Sequence, residues 1–299
     1  MSEYQNNLTG IREFDADKAR RFAADIRIQT INQMATFGAG HIGGAASIAD
    51  TLAVLYGGLM RIDPNDPRWN GRDYLVMSKG HCGPALYAAL ALKGYFPMEW
   101  LGTLNKIGTN LPSHCDRNHT PGIDASTGSL GQGISMAAGF AQAAKMTGNP
   151  RLVYAIVGDG ELQEGQVWEA AEFAAHRELN NLVVLVDMNG AQLDGTTDSI
   201  CKSLDVKAKF ESFGFEAMYV KGDDVEKIAE ALYEIRDRKD RGNKPFAVIL
   251  QTKKGNGVLY AERKFPNHHL TVTVEDAEES IAEIERRLQA GLLPGGEER

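Results

Sequence analysis

The sequence predicts an α/β protein with a mostly parallel sheet covered by helices on both faces. Three observations carry this reading. Residues 152–157 and 182–186 are unbroken apolar runs that stop at Gly158 and Asp187, the pattern of strands buried on both sides. Between them Val167, Ala170, Ala171 and Ala174 recur at i, i+3, i+4 and i+7, one apolar stripe on a helix, so the segment is a βαβ unit. The alternation then repeats: strand-like runs at 215–220 and 246–251 flank a helical stripe of Val225, Ile228, Ala229, Leu232 and Ile235. Strands that alternate with helices in this way pair in parallel through crossover connections.

From the amino terminus, residues 18–37 read as a helix, with Asp15 or Asp17 as its starting cap and Gly38 just past its end, where a left-handed turn costs glycine little. A glycine-rich loop, Gly38-Ala39-Gly40-His41-Ile42-Gly43-Gly44, leads to Ser47. The spacing of Ser47 to Asp50 predicts a capping box and a helix that stops before Asp63-Pro64. Residues 61–73, rich in Pro, Asp and Asn, form a loop; Pro84 suits a first helical turn and Gly94 closes that helix. Residues 106–124 have no period and read as a long loop, which in a compact domain tends to be functional. A second glycine-rich loop, residues 126–133, opens onto a helix of small residues from Ile134 to about Lys145. The last helix carries Ala277, Ile281, Ile284 and Leu288 on one side and precedes a Gly- and Glu-rich tail expected to fray. With no internal repeat and no clear linker, residues 1–299 read as a single domain with an N-terminal helical extension.

Size and charge limit the function. A chain of 299 residues buries roughly three quarters of the surface its unfolded form exposes and needs no disulfide or structural metal to fold. Its 32 basic and 40 acidic residues leave a formal net charge of -8, which argues against nucleic acid or an anionic membrane as a partner. A phosphorylated ligand must then be held by local positive groups. Cys82, Cys115 and Cys201 are odd in number and widely spaced, which fits a reducing compartment, so the cytoplasm is the expected location. Residues 1–20 contain no apolar signal core. The uncharged stretch 125–144 is interrupted by four glycines and does not read as a membrane span.

In an open parallel sheet, ligands bind beyond the carboxyl ends of the strands. There the first strand of the βαβ unit ends in Gly158-Asp159-Gly160 and the second in Asp187-Met188-Asn189-Gly190. If the two strands are neighbours, Asp159 and Asn189 meet at one edge of the sheet. A carboxylate, an amide oxygen and a nearby backbone carbonyl are hard ligands that, with phosphate oxygens, suit Mg2+. Either motif alone reads as a turn; together, across one βαβ unit, they favour a metal–diphosphate site. The loop Ser126-Thr127-Gly128-Ser129-Leu130-Gly131-Gln132-Gly133 offers backbone N–H groups to an anion at a helix start. Its glycine order, GxxGxG, is not a dinucleotide fingerprint, and Gly131, Gly133 and the following alanines also permit close helix packing. His41, His81, His114, His119, His268 and His269 lie in loops or at element ends, whereas His176 sits on a helix. None has the spacing of a zinc site, so acid–base or hydrogen-bonding work on a polar substrate is their functional reading, against a structural role for any one alone.

The segments GHIGG (40–44), SKGH (78–81), STGSLGQG (126–133), VGDGELQEG (157–165) and DMNGAQLDG (187–195) resemble the thiamine-diphosphate domain of transketolases, with similarity over residues 18–270. The resemblance implies the thiamine-diphosphate-binding fold, thiamine diphosphate as cofactor, and Mg2+, with Ca2+ or Mn2+ able to substitute. It implies Asp159 and Asn189 as metal ligands through their side chains and Ala191 through its carbonyl. Gly128, Leu130 and Gly160 would line the cofactor, Leu193 would pack against its rings, and Glu164 would join a carboxylate network near a subunit interface. His81 and His268 would reach the diphosphate or substrate region, with His269 the alternative to its neighbour. His41 and His114 would serve substrate hydroxyls and proton transfers. Two positions depart from the family pattern. Ser113-His114-Cys115 stands where Gly-His-Pro is common, and Ala191 is smaller than the usual aliphatic residue.

Transketolases continue into a pyrimidine-binding domain and a C-terminal domain, which these residues do not supply. The resemblance therefore implies the N-terminal subunit of a split enzyme of carbohydrate metabolism, in a heterotetramer of two chains of each kind with the cofactor at their interface. Its reaction would pass a two-carbon ketol unit from a ketose phosphate to an aldose phosphate, as in the pentose phosphate pathway. The cofactor would act as electron sink, and histidines would serve as donors to developing oxyanions. The α subunit of a 2-oxoacid dehydrogenase shares the metal–diphosphate signature but not the loops around His41, His81 and His114. An inert scaffold subunit is disfavoured by retention of Asp159, Asn189 and the histidines, and a nicotinamide-dependent dehydrogenase by the glycine order.

Overall fold

The computed structural model describes residues 14–298; Arg299 and residues 1–13, part of the expected N-terminal extension, lie outside the described residues. Helix α1 (Ala16–Phe37) begins where the Asp15 carboxylate accepts a hydrogen bond from the Lys18 N–H, and ends at Gly38, whose φ of 98° forms the left-handed cap. Strand β1 (Ala39–Gly40) is followed by α2 (Ile42–Ser47) and α3 (Ala49–Val54). Strand β2 (Tyr74–Met77) leads to α4 (Gly83–Lys93), and the long loop then runs to α5 (Gln132–Met146). The βαβ unit is β3 (Val153–Gly158), α6 (Gly165–His176) and β4 (Leu182–Met188). Two short helices, α7 (Thr197–Ile200) and α8 (Val206–Ser212), precede β5 (Glu216–Lys221), α9 (Val225–Asp237) and β6 (Phe246–Gln251). The chain closes through α10 (Leu259–Glu262), β7 (Leu270–Thr271) and α11 (Val274–Gln289).

Strands β2 to β6 form one sheet in the order β2-β3-β4-β6-β5, every pair parallel. In β3, β4 and β6 alternate residues enter opposite cores, which is why their central residues form unbroken apolar runs, whereas the edge strand β5 carries Glu216, exposed Tyr219 and Lys221. Val153, Ala155 and Val157 pack with α5, α6 and Phe210 of α8. Tyr154 and Ile156 point the other way, into the core built by α1, α3, α4 and α9. Burying each large aliphatic side chain contributes roughly 1.5–3 kcal/mol, so helices on both faces follow from the strand composition. Register pairs Gly158 with Asp187, so β3 and β4 end side by side. The antiparallel β1–β7 pair, Gly40 opposite Leu270, brings His41 next to residues 268 and 269.

Three local expectations change. Ser47 caps no helix: its hydroxyl donates to Gly44 O at 3.1 Å and to Asp187 Oδ2 at 2.7 Å, while Asp50 is buried against Arg27. Strand β2 was not foreseen, because four residues are too short to show a period. The tail expected to fray is held as far as Glu297: Leu293 is buried and its N–H donates to Glu297 O, and Arg287 Nη1 donates to Pro294 O at 2.5 Å. Among the described residues no helix is long and apolar enough to cross a membrane.

Candidate active site

A cavity of about 300 Å3 opens at the carboxyl ends of β2, β3 and β4. Its foundation is the Asp187 carboxylate, fully buried at the end of β4. Oδ2 accepts hydrogen bonds from Ser47 Oγ (2.7 Å), Lys79 Nζ (2.5 Å) and Asn189 Nδ2 (2.7 Å), and Oδ1 accepts one from Thr252 Oγ1. Burial alone would push this carboxyl up; the Lys79 ammonium and the hydrogen bonds outweigh it and hold the carboxyl below its usual range. Lys79, 2% exposed, also donates to Gly44 O at 3.0 Å. One ion pair thus ties the loop after β2, the α2 segment and the ends of β4 and β6 together.

A second buried carboxylate, Glu161, joins the remaining loops. Oε1 accepts from Ser78 Oγ (2.5 Å) and the Gly131 N–H (2.8 Å), and Oε2 from the Gly158 N–H (3.1 Å). The glycine-rich loop before α5 is therefore fastened to the ends of β2 and β3. Asp159, 1% exposed, accepts from the Gly160 N–H (2.8 Å) and the Gly190 N–H (2.6 Å). Burial and then the Asp187 charge push its carboxyl up to about 6. Lys254 lies across the cavity from another direction. Its ammonium donates to Ala191 O (3.1 Å) and Gln192 O (3.1 Å) and lies 3.2 Å from His268 Nδ1. Burial lowers its pKa while Asp159 opposes that shift.

Four histidine rings complete the cavity. His41 is their centre, with ring centroids 5.5 Å from His81, 5.4 Å from His114 and 5.2 Å from His268; His81 and His268 are 4.8 Å apart. Burial, followed by the neighbouring rings, lowers His41 to about 3. Burial and then Lys254 lower His268 to about 4. Burial and Lys79 lower His81 well below the ordinary histidine value, and burial lowers His114. At neutral pH these rings are uncharged, able to donate from one nitrogen and accept at the other.

The residues given site roles from the sequence line this one cavity: the four histidines, Gly128, Leu130, Asp159, Gly160, Glu164, Asn189, Ala191 and Leu193. Between the two adjacent candidates, His268 lines the cavity; His269 is exposed, although its ring is 4.7 Å from that of His41. Glu164 is exposed and its side chain makes no hydrogen bond among the described residues; the carboxylate that binds neighbouring loops is Glu161. His119 is paired with Asp116 on the exposed loop, and His176 lies on α6 away from the cavity. Sequence reasoning missed Lys79, Glu161 and Lys254 as cavity residues. The available signal was charge placed at strand ends, beside glycine, where solvation alone does not account for it.

The oxygen set fits a hard cation bound to phosphate. Asp159, Asn189 and Ala191 all line the cavity and carry a carboxylate, an amide oxygen that accepts from the Ala191 N–H at 3.1 Å, and a backbone carbonyl. A buried carboxylate whose pKa is raised is one that a cation would stabilise; Ala191 O accepts from the Lys254 ammonium at 3.1 Å, so a cation there would share that oxygen or displace the ammonium. Among the described residues no three His, Cys, Asp or Glu side chains converge as a metal site, so a cation here would rely on amide and backbone oxygens.

Comparison with known proteins agrees with this architecture. Residues 18–288 match the family described as transketolase, thiamine diphosphate binding domain. The 6-deoxy-6-sulfo-D-fructose transketolase subunit SqwG of Clostridium sp. (strain MSTE9) is 47% identical over 87% of this chain and 94% of that protein. An apulose-4-phosphate transketolase subunit of Phocaeicola vulgatus is 38% identical over 84% of this chain and 88% of its own length. Among solved structures, transketolase from Leishmania mexicana superposes with a TM-score of 0.81 at 31% identity, covering 96% of this chain. The chain spans 42% of that structure's length.

Proposed function

This chain belongs to the transketolase family, and from that premise we propose that it is the N-terminal subunit of a two-chain transketolase. It binds the diphosphate of thiamine diphosphate together with Mg2+, and the partner chain supplies the pyrimidine-binding domain. The reaction moves a two-carbon ketol unit from a ketose that carries a terminal anion to an aldose phosphate. The observation that carries the reading is the convergence of Asp159, Asn189 and Ala191 with four uncharged histidines in one cavity at the ends of β3 and β4. Two relatives with most of their length matched are named as subunits, which supports a second chain. A heterotetramer in the cytoplasm is the assembly and location this reading carries.

Asp159, Asn189 and Ala191 hold the metal. Gly128, Leu130 and Gly160 border the diphosphate and Leu193 the rings. Glu164, exposed at the cavity rim, faces the partner chain. Bound thiamine diphosphate supplies the electron sink for carbon–carbon cleavage. His81 and His268 donate hydrogen bonds toward the diphosphate and the substrate. His41 and His114 hold sugar hydroxyls and exchange protons with them; as neutral rings they do so without a buried charge of their own. The direct test is to purify the tagged chain with any stoichiometric companion and to follow two-carbon transfer. The donors are 6-deoxy-6-sulfo-D-fructose, fructose 6-phosphate and xylulose 5-phosphate. Transfer dependent on thiamine diphosphate is expected from the pair of chains. A pure complex holding cofactor but inert with every ketose would defeat the reading.

A further inference from the structure

A second concave site lies at the opposite end of the sheet. It is a cleft of about 830 Å3 beside Tyr74, the first residue of β2, whose register partner is Val153 at the start of β3. Four arginines line it, Arg68, Arg72, Arg117 and Arg151, in a chain whose net charge is -8. Arg72 and Arg151 form the fixed floor. Their guanidinium groups flank the Tyr74 ring at 4.2 and 3.7 Å from its centroid, and the ring packs at 89° to Phe140 of α5, centroids 5.4 Å apart. Arg151 is further held by Arg72 O and Asn70 O, at 3.0 and 2.6 Å. Arg72 pairs with Asp124 at 2.6 Å, while its buried Nε has no hydrogen-bond partner among the described residues.

Arg68 and Arg117 are different. Both are exposed, they come from the two loops that wall the cleft, and neither side chain has a hydrogen-bond or ion-pair partner among the described residues. The lining acids do not neutralise them: Asp124 is engaged by Arg72, and Asp66 accepts from the backbone N–H of Arg68. Four guanidinium groups against two carboxylates leave net positive charge in a concavity. Planar guanidinium forks suit phosphate oxygens in bidentate pairs, and the volume lies within the roughly 300–1,000 Å3 of small-molecule sites. We propose that this cleft is an anion site for a small phosphorylated molecule, separate from the histidine cavity.

The test uses the full chain and inorganic pyrophosphate as the probe, followed by calorimetric titration. The wild-type chain is expected to show a pyrophosphate site that weakens at least about tenfold in Arg68→Ala/Arg117→Ala, the loss of charge-assisted hydrogen bonds from two guanidinium groups. The same site should persist in Lys254→Ala, which alters the other cavity. Arg68→Lys/Arg117→Lys keeps the charge without the fork, and intermediate affinity is expected. Circular dichroism that matches wild type removes misfolding as a cause. Absence of binding to wild type, or equal affinity in the double alanine variant, would overturn the assignment. So would disappearance of all binding in Lys254→Ala, which would put the anion in the histidine cavity. Tighter binding of a polyglutamate peptide, displacing pyrophosphate, would make the cleft a protein-docking groove and also end the proposal.

Discussion

Asp187 orders the candidate active site more than the residues that face its ligand. Its Oδ2 takes the Asn189 Nδ2 hydrogen bond, which, with the Ala191 N–H on Asn189 Oδ1, fixes the orientation of that amide. Asp187→Asn leaves the Lys79 ammonium buried without its anion; removing one partner of a buried pair costs about 3–5 kcal/mol. Urea unfolding should register that loss, and Mg2+ affinity, measured by titration of the full chain, should fall by about 10–100-fold, as for other groups that orient a ligand. Thr252→Val, which removes only the bond to Oδ1, should cost about 1–3 kcal/mol; a larger loss there than in Asp187→Asn would refute this ranking. The histidines make a second prediction. The folded His41 ring titrates near 3 against an ordinary 6.5. Between those values the unfolded chain binds a proton that the folded chain excludes, so this contribution is full above pH 6.5 and is lost as pH falls toward 3. His268 acts in the same direction, whereas Asp159, raised to about 6, opposes it between pH 6 and 3.8. The groups facing His41 are His81, His114, His268, His269 and Lys254. The unfolding midpoint of His41→Gln should therefore fall less steeply than that of wild type from about pH 6.5 to about 4.5, and parallel curves would contradict the assignment. Asp159 and Asn189 were legible because each follows a readable strand end. Lys79, Glu161 and Lys254 were not, since each acts on segments that only the fold brings together.

At the scale of elements, strands β3, β4 and β6 and their helices could be read from apolar runs and helical stripes, because burial on both faces leaves that mark on composition, while β5, an edge strand interrupted by Glu216, was legible from its place in the alternation with α9. What escaped was local and depended on tertiary contacts. Strand β2 is a strand because β3 pairs with it, and Ser47, which looks like a cap in one dimension, spends its hydroxyl on Asp187. The junction of α5 with β2 shows how closely such contacts are set. A Cβ added at Gly133 would fall 2.5 Å from Ser78 Oγ and 2.6 Å from Ser78 Cα, so the helix start would have to withdraw from the strand end. Gly133→Ala should destabilise by about 1–3 kcal/mol, the usual cost of overpacking. Gly139→Ala, on the same helix, meets nothing within 4 Å and should be neutral or stabilising by up to about 1 kcal/mol, because alanine is the better helix former. Urea midpoints for the two variants decide the matter. If Gly139→Ala were the more damaging, the packing of α5 on β2 would not be what the glycine preserves.

At the scale of the whole molecule, the sheet separates two kinds of surface. Its amino end carries the arginine cleft; its carboxyl end carries the histidine cavity, with Leu193 57% exposed at the rim and Ile200 and Leu204 exposed on the segment that follows. Apolar side chains beside a polar cavity are poorly placed for water but well placed for a covering chain. The solved transketolase from Leishmania mexicana is more than twice as long as the part this chain matches; under the proposed two-chain reading, a second chain supplies the remainder. If the partner covers the cavity, it excludes water from Asp159 and the neutral histidines and strengthens every electrostatic contact there. Thiamine diphosphate should then bind the pair of chains at least about tenfold more tightly than this chain alone, the lower range of coupling between two linked binding events. Leu204→Asp, on the exposed segment outside the cavity lining, should reduce that gain while leaving Mg2+ affinity of the isolated chain unchanged. Calorimetry with and without the partner measures both quantities. Equal cofactor affinity in the two preparations would mean that the cavity is complete in one chain and that the partner, if any, acts elsewhere.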